Sequence, residues 1–222
     1  QKRQAEEARM AAWIAADPAR QQKYGTVLSE LKALSEESNA AQMRDVIMRR
    51  FPDPNSMSVL GQVVAAAMAV KSGRTLNETQ RAAKLADITK ALEGREASHE
   101  REMLKFFFKE FDSLPANQRF GAADRKFNNV SGRARRDAEA AFAAEIADGP
   151  MTTAANILSL YGMSWADIQA KHPFVAGVVE ERAAVTARTA KFNGQIDRLR
   201  LLYQQALAGM RGNTPFPDAN FT

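Results

Sequence analysis

The chain has 222 residues, of which 45% are hydrophobic and 26% charged, a balance that supports a buried core rather than disorder. It contains no cysteine, which excludes disulfides, thiolate nucleophiles and zinc–sulfur centres. The net charge is +5 with a pI near 9.6, and it is unevenly spread. Residues 119–137, RFGAADRKFNNVSGRARRD, hold six Lys or Arg against two Asp, so most of the excess lies in one short stretch.

Alanine, leucine, glutamate, glutamine and arginine recur while β-branched and aromatic residues are sparse, a mixture that favours helix. In chain order, a first helix is predicted from Lys2 to Ala16, with Met10, Trp13 and Ile14 facing the core. Asp17-Pro18 restarts the chain, an Asp N-cap followed by a proline whose missing N–H costs nothing in the first turn. A long helix is then expected to Phe51, where Pro52 and Pro54 stop it. Its stripe Tyr24, Val27, Leu28, Leu31, Leu34 is spaced for a partner helix.

The run VLGQVVAAAMAV (59–70) is the longest apolar segment and is too short to span a bilayer, so Ser58–Lys71 reads as a buried helix. A fourth helix is predicted from Thr75, with Glu78 at the capping-box position, to Gly94. The fifth, Ser98–Ser113, carries Met103, Leu104, Phe106, Phe107, Phe108 and Phe111, the densest core signal in the chain. A loop-rich basic stretch follows Pro115, and then a helix from Gly132 to Ala147 ended by Gly149-Pro150. Two short helices divided at Gly162 come next, the second capped by Ser164 with Asp167. The last helix runs from Phe174 to Met210 with an apolar stripe at Phe192, Ile196, Leu199, Tyr203, Leu207 and Met210. Gly209 and Gly212 suit a left-handed helix end. The fold class is therefore all-α, an irregular multi-helix domain whose long first and last helices are antiparallel neighbours.

Candidate catalytic chemistry is thin. His99 in SHERE and His172 before Pro173 are the two histidines, and neither has a serine or carboxylate placed beside it in a nucleophile motif. Carboxylates such as Glu30, Glu36-Glu37 and Glu180-Glu181 read as solvated helix faces paired with Lys32 or Arg182, and no H-E-x-x-H run offers metal ligands. No catalytic, metal or cofactor residue is assigned, and substrate-binding residues stay unassigned. In the basic stretch, Arg119, Arg125, Lys126, Arg133, Arg135 and Arg136 alternate with Phe120 and Phe127. Cations for phosphates and rings for bases would suit a freestanding module binding nucleic acid or an acidic partner, although no named motif accompanies them.

The chain closes on GNTPFPDANFT (212–222), where two prolines forbid helix and a strand-like run begins. The segment GQIDRLRLLYQQALAGMRGNTPFPDANFT (194–222), with its Pro217-Asp218-Ala219-Asn220-Phe221-Thr222 run, resembles the bacterial dipeptidyl peptidase 7/11 family, the dipeptidyl aminopeptidase BII type. QAEEARMAAWIAADPARQQKYG (4–25) resembles a helical stretch of the same family.

The resemblance implies a serine dipeptidyl peptidase: a chymotrypsin-like double β-barrel with a Ser-His-Asp triad, and a large helical domain inserted in it that caps the active-site cleft. Such enzymes release dipeptides from the free amino terminus of oligopeptides, in the periplasm or at the outer membrane of Gram-negative bacteria, usually as homodimers. Residues 1–212 would then be the helical cap without its amino-terminal part, and 213–222 the hinge and first strand of the following barrel. The family's triad falls outside this chain. So does its asparagine-bearing helical segment for the substrate amine, for which Asn128-Asn129 is no match. The expected partners are the barrel of the same protein, oligopeptide substrates and a second copy, with no cofactor, no membrane span and no nucleic acid.

Overall fold

The structure, a computed structural model, describes residues 2–127 and 130–212. The expected strand at 213–222 and the pair Asn128-Asn129 lie outside the described residues. Those described fold into eleven α-helices and three 3-10 turns, with no strand among them. The helices are α1 (Lys2–Ala15), α2 (Pro18–Tyr24), α3 (Val27–Arg50), α4 (Val59–Lys71), α5 (Glu78–Glu93), α6 (Ala97–Asp112), α7 (Gly121–Lys126), α8 (Gly132–Asp148), α9 (Ala154–Ser159), α10 (Trp165–Lys171) and α11 (Pro173–Met210). No described helix is long and apolar enough to cross a membrane.

Caps set most of the boundaries. Asp17 accepts hydrogen bonds from the Ala19 and Arg20 amides at 2.8 and 2.9 Å, and Pro18 opens α2. Ser58 accepts from Gly61 at the start of α4, and Ser164 with Asp167 closes a reciprocal capping box on α10.

Four expectations are corrected. The helix expected from 18 to 51 is broken at Gly25-Thr26, because the Gly25 amide still closes α2 on Gln21 O while Thr26 O starts α3 by accepting from Glu30. Glycine pays most entropy in a helix and β-branched threonine follows it, so the break falls where helix is weakest. The cap of α5 is Asn77 with Gln80 rather than Thr75 with Glu78; each side chain accepts from the other's amide, at 2.9 and 3.0 Å. The stretch read as loop contains α7, whose first turn holds Asp124. Gly209 lies inside α11 rather than at its end. A Cβ there would come within 2.9 Å of Trp13 Cη2, so glycine serves close packing, whereas Gly212 does take the left-handed φ of 71°.

The chain divides into two compact units, one taking residues up to Ala41 and from Ala187 onward, the other Gln42–Thr186; α3 and α11 contribute to both. In the first unit Met10, Ile14, Tyr24, Val27, Ala206 and Leu207 form one buried cluster, with Trp13, Leu28, Leu31 and Tyr203 against it. Val27 of α3 and Leu207 of α11 belong to that one cluster and Glu30 pairs with Arg198 at 2.5 Å, so α3 and α11 are neighbours there. In the second unit α6 packs on α8 and α5 on α9. Its core is aromatic: Phe108 lies 5.3 to 6.2 Å from the rings of Phe51, Phe127, Phe142 and Phe174, mostly edge-on, the geometry that ring quadrupoles favour. Of the residues predicted as core in α6, Leu104, Phe108 and Phe111 are buried, Met103 and Phe107 are half-buried, and Phe106 is 56% exposed.

Candidate functional site: a charged cleft between two helices

The densest polar arrangement of the second unit centres on Arg135, whose side chain is 3% exposed. Three carboxylates from three helices meet its guanidinium. Glu139, one turn on in α8, accepts from Nε at 2.7 Å; Asp112, the last residue of α6, accepts from Nη2 at 2.8 Å. Asp124 of α7 lies 3.1 Å from Nη1, and Arg119 reaches both aspartates at 2.9 and 3.1 Å. The guanidinium also lies 4.6 Å over the Phe127 ring. Buried ions persist only when paired, so the five groups hold one another in place. Three carboxylates face two guanidiniums, which leaves one carboxylate in excess. Burial pushes Glu139 above the usual carboxylate range; Arg135 opposes that shift, and the Asp112 charge adds to it.

Above this cluster opens a cleft of about 620 Å³, a size that suits a small ligand. One wall is a single face of α6, Glu102, Lys105, Phe106 and Lys109 leading down to Asp112. The other is Val130 and Ser131 with Gly132, Arg136 and Glu139 of α8. Lys105 is engaged by Glu102. Lys109 and Arg136 are exposed and have no ion-pair partner among the described residues.

Of the six cations of the basic stretch, Arg125 is exposed in the last turn of α7 and does not line the cleft. Arg119 and Arg135 are consumed by Asp112, Asp124 and Glu139, and Lys126 pairs with Glu145 at 3.6 Å and lies over Phe142. Arg133 pairs with Asp137 on the surface. Phe120 and Phe127 are buried in the core, so neither ring is available to stack on a base. Of the sequence-stretch cations lining the cleft, Arg136 alone carries no such partner among the described residues.

The other candidate residues do not converge. His99 is exposed near the start of α6. His172 caps α10 with its amide on Ile168 O, and burial with the Lys171 charge holds its imidazole below the usual range. Glu36 pairs with Lys32 as the helix spacing suggests, but Glu30 is taken by Arg198 and Glu181 by Arg44. Glu180 accepts from Gln169, and Arg182 donates from Nη1 to the carbonyls of Met48, Arg49, Phe51 and Pro52, tying off the end of α3. No group of three His, Asp or Glu side chains suited to a metal ion exists among the described residues.

The cleft itself is only partly legible in the sequence. The spacing Glu102, Lys105/Phe106, Lys109, Asp112 already marks one helix face, and Arg135 with Glu139 is an i,i+4 pair. The link of Arg135 to Asp112 and Asp124, 23 and 11 positions away, leaves no local signal.

The Peptidase S46 family model matches residues 1–222. No curated protein matches the sequence at a significant level.

Proposed function

This chain belongs to the peptidase S46 family, and from that premise we propose that it is the helical cap of a serine-type dipeptidyl peptidase, covering the cleft from which dipeptides are released. One observation carries the reading: a peptidase family matches the chain over its whole length, and the described residues form helices with no strand among them. A cap acts by shape and motion. It narrows access so that a free amino terminus enters and the interior of a long chain does not, and it excludes water as it closes. Nucleophile, general base and oxyanion donors belong, on this reading, to a β-barrel of the same protein. Residues 1–212 make up the cap and 213–222 lead into that barrel. Oligopeptides in the periplasm, or at the outer membrane of a Gram-negative cell, are its substrates, and the working form is a homodimer.

The test compares dipeptidyl-amide hydrolysis by this 222-residue chain and by the full product of its gene. The full product is expected to release dipeptides in a serine-inhibitor-sensitive way, and the chain alone to give no turnover. Inhibitor-sensitive turnover by the chain alone would sink the reading, and so would absence of dipeptide release from the full product.

A further inference from the structure

The cleft between α6 and α8 exposes two apolar and two cationic side chains to solvent. Phe106 is 56% exposed, although Phe108 and Phe111 on the same helix are buried, and Val130 across the cleft is 39% exposed. Apolar surface left in water on the wall of a concave site is available to a ligand. Lys109 and Arg136 are exposed cations without an ion-pair partner among the described residues, one on each side of the cleft. Five Lys or Arg line the cleft against three carboxylates, and with Asp124, which pairs with Arg119 and Arg135, the cations still outnumber the carboxylates by one. At its floor, Arg135 Nη1 is buried and finds no aligned hydrogen-bond acceptor, since Asp124 at 3.1 Å lies off its donor direction. An excess of cations beside an exposed ring selects an anion attached to something apolar.

We propose that this cleft binds the carboxylate-bearing end of a short peptide. Arg136 and Lys109 hold the carboxylate, the guanidinium offering a two-pronged donor set and the ammonium a point charge. Phe106 and Val130 cover the apolar side chain next to it. The choice of a peptide as carrier rests on the peptidase reading above; the carboxylate-plus-apolar chemistry does not. For an oligopeptide substrate, the site takes the part distant from the amino terminus.

Titration calorimetry on the 222-residue chain tests it, with N-acetyl-Ala-Ala-Phe as free acid and as carboxamide, and inorganic phosphate as a third probe. The acetyl group removes the free amino terminus, so binding here does not depend on dipeptidyl peptidase activity and the two readings fail separately. The acid is expected to bind about tenfold or more tightly than the amide, a preference that shrinks as salt rises. Lys109→Gln with Arg136→Gln should abolish that preference. Phe106→Ala should weaken acid and amide alike, by about three- to tenfold. All three side chains are exposed, so thermal melts of the variants should match the parent. Equal binding of acid and amide, an acid preference surviving the double substitution, or phosphate binding as tightly as the acid would each overturn the proposal.

Discussion

The unit Gln42–Thr186 is held by interlocking phenylalanines, whereas the unit built from the chain before Ala41 and after Ala187 relies on a stripe of mixed apolar residues on helix segments. In the first case Phe51, Phe108, Phe111 and Phe120 are each at most 2% exposed and every ring has several ring neighbours. In the second, Met10 and Ala206 are fully buried, but Trp13, Leu28, Leu31 and Tyr203 stay half-buried. Because stabilisation follows apolar area removed from water, the two units should differ in resistance to local opening. The better-packed unit also carries the buried ion cluster and the cleft, and a rigid surround is what keeps such a site's geometry fixed.

The sharpest way to break this comparison is Phe108→Ala. A fully buried ring with four aromatic neighbours leaves a cavity that the surrounding rings cannot collapse into, so a loss of about 3–5 kcal/mol is expected in chemical denaturation. Hydrogen exchange should then rise mainly across residues 42–186. If exchange rises no more there than in residues 4–41 and 187–210, the aromatic core does not belong to one unit and the comparison fails.

A smaller loss is expected from Leu207→Ala, about 2–3 kcal/mol, because the cluster it belongs to is edged by half-buried side chains such as Trp13 and Tyr203 that have room to settle inward. Its exchange signature should be the converse, with faster exchange in α1, α2 and the last turns of α11 and little change in α6 and α8. Equal effects of the two substitutions on one shared transition would show that α3 and α11, which contribute to both units, couple them into a single cooperative body.

Helix content and most boundaries were legible in the sequence because they rest on local chemistry. Asp17-Pro18, Ser58 and the Ser164–Asp167 box cap helices within four residues of themselves. The apolar stripes of α1 and α11 predicted Met10, Ile14, Leu199 and Leu207 as core, and they are buried. Local rules also misled. Thr75 and Glu78 satisfy a capping-box pattern, but Asn77, a stronger cap two residues on, takes the role. Phe106 reads as core from its neighbours alone, and only the helix phase relative to α8 turns it outward into the cleft. The basic stretch reads as a cationic surface because the carboxylates that neutralise Arg119 and Arg135 include Asp112, from before the stretch, and Glu139, from after it. Tertiary pairing of charges has no period, and so no sequence signature.

The smallest expected effect sharpens the comparison at the ion cluster, through Glu139→Gln. Glutamine keeps an oxygen that can accept from Arg135 Nε, so near the acid end of the folded range the variant should match the parent within about 1 kcal/mol. The pH dependence should differ. Burial raises the folded-state pKa of Glu139 above its unfolded value, so just above the ordinary glutamate range the folded protein still holds a proton that the unfolded chain has released. Stability linked to this group is therefore intact below the unfolded pKa and is lost as pH rises through the window up to the folded pKa. Glutamine cannot titrate and escapes that loss. Urea midpoints measured from about pH 4 to about pH 8 should show the variant gaining on the parent as pH rises. A constant difference across that range would mean that Glu139 ionises alike in both states, with Arg119 and Arg135 then compensating all three carboxylates in full.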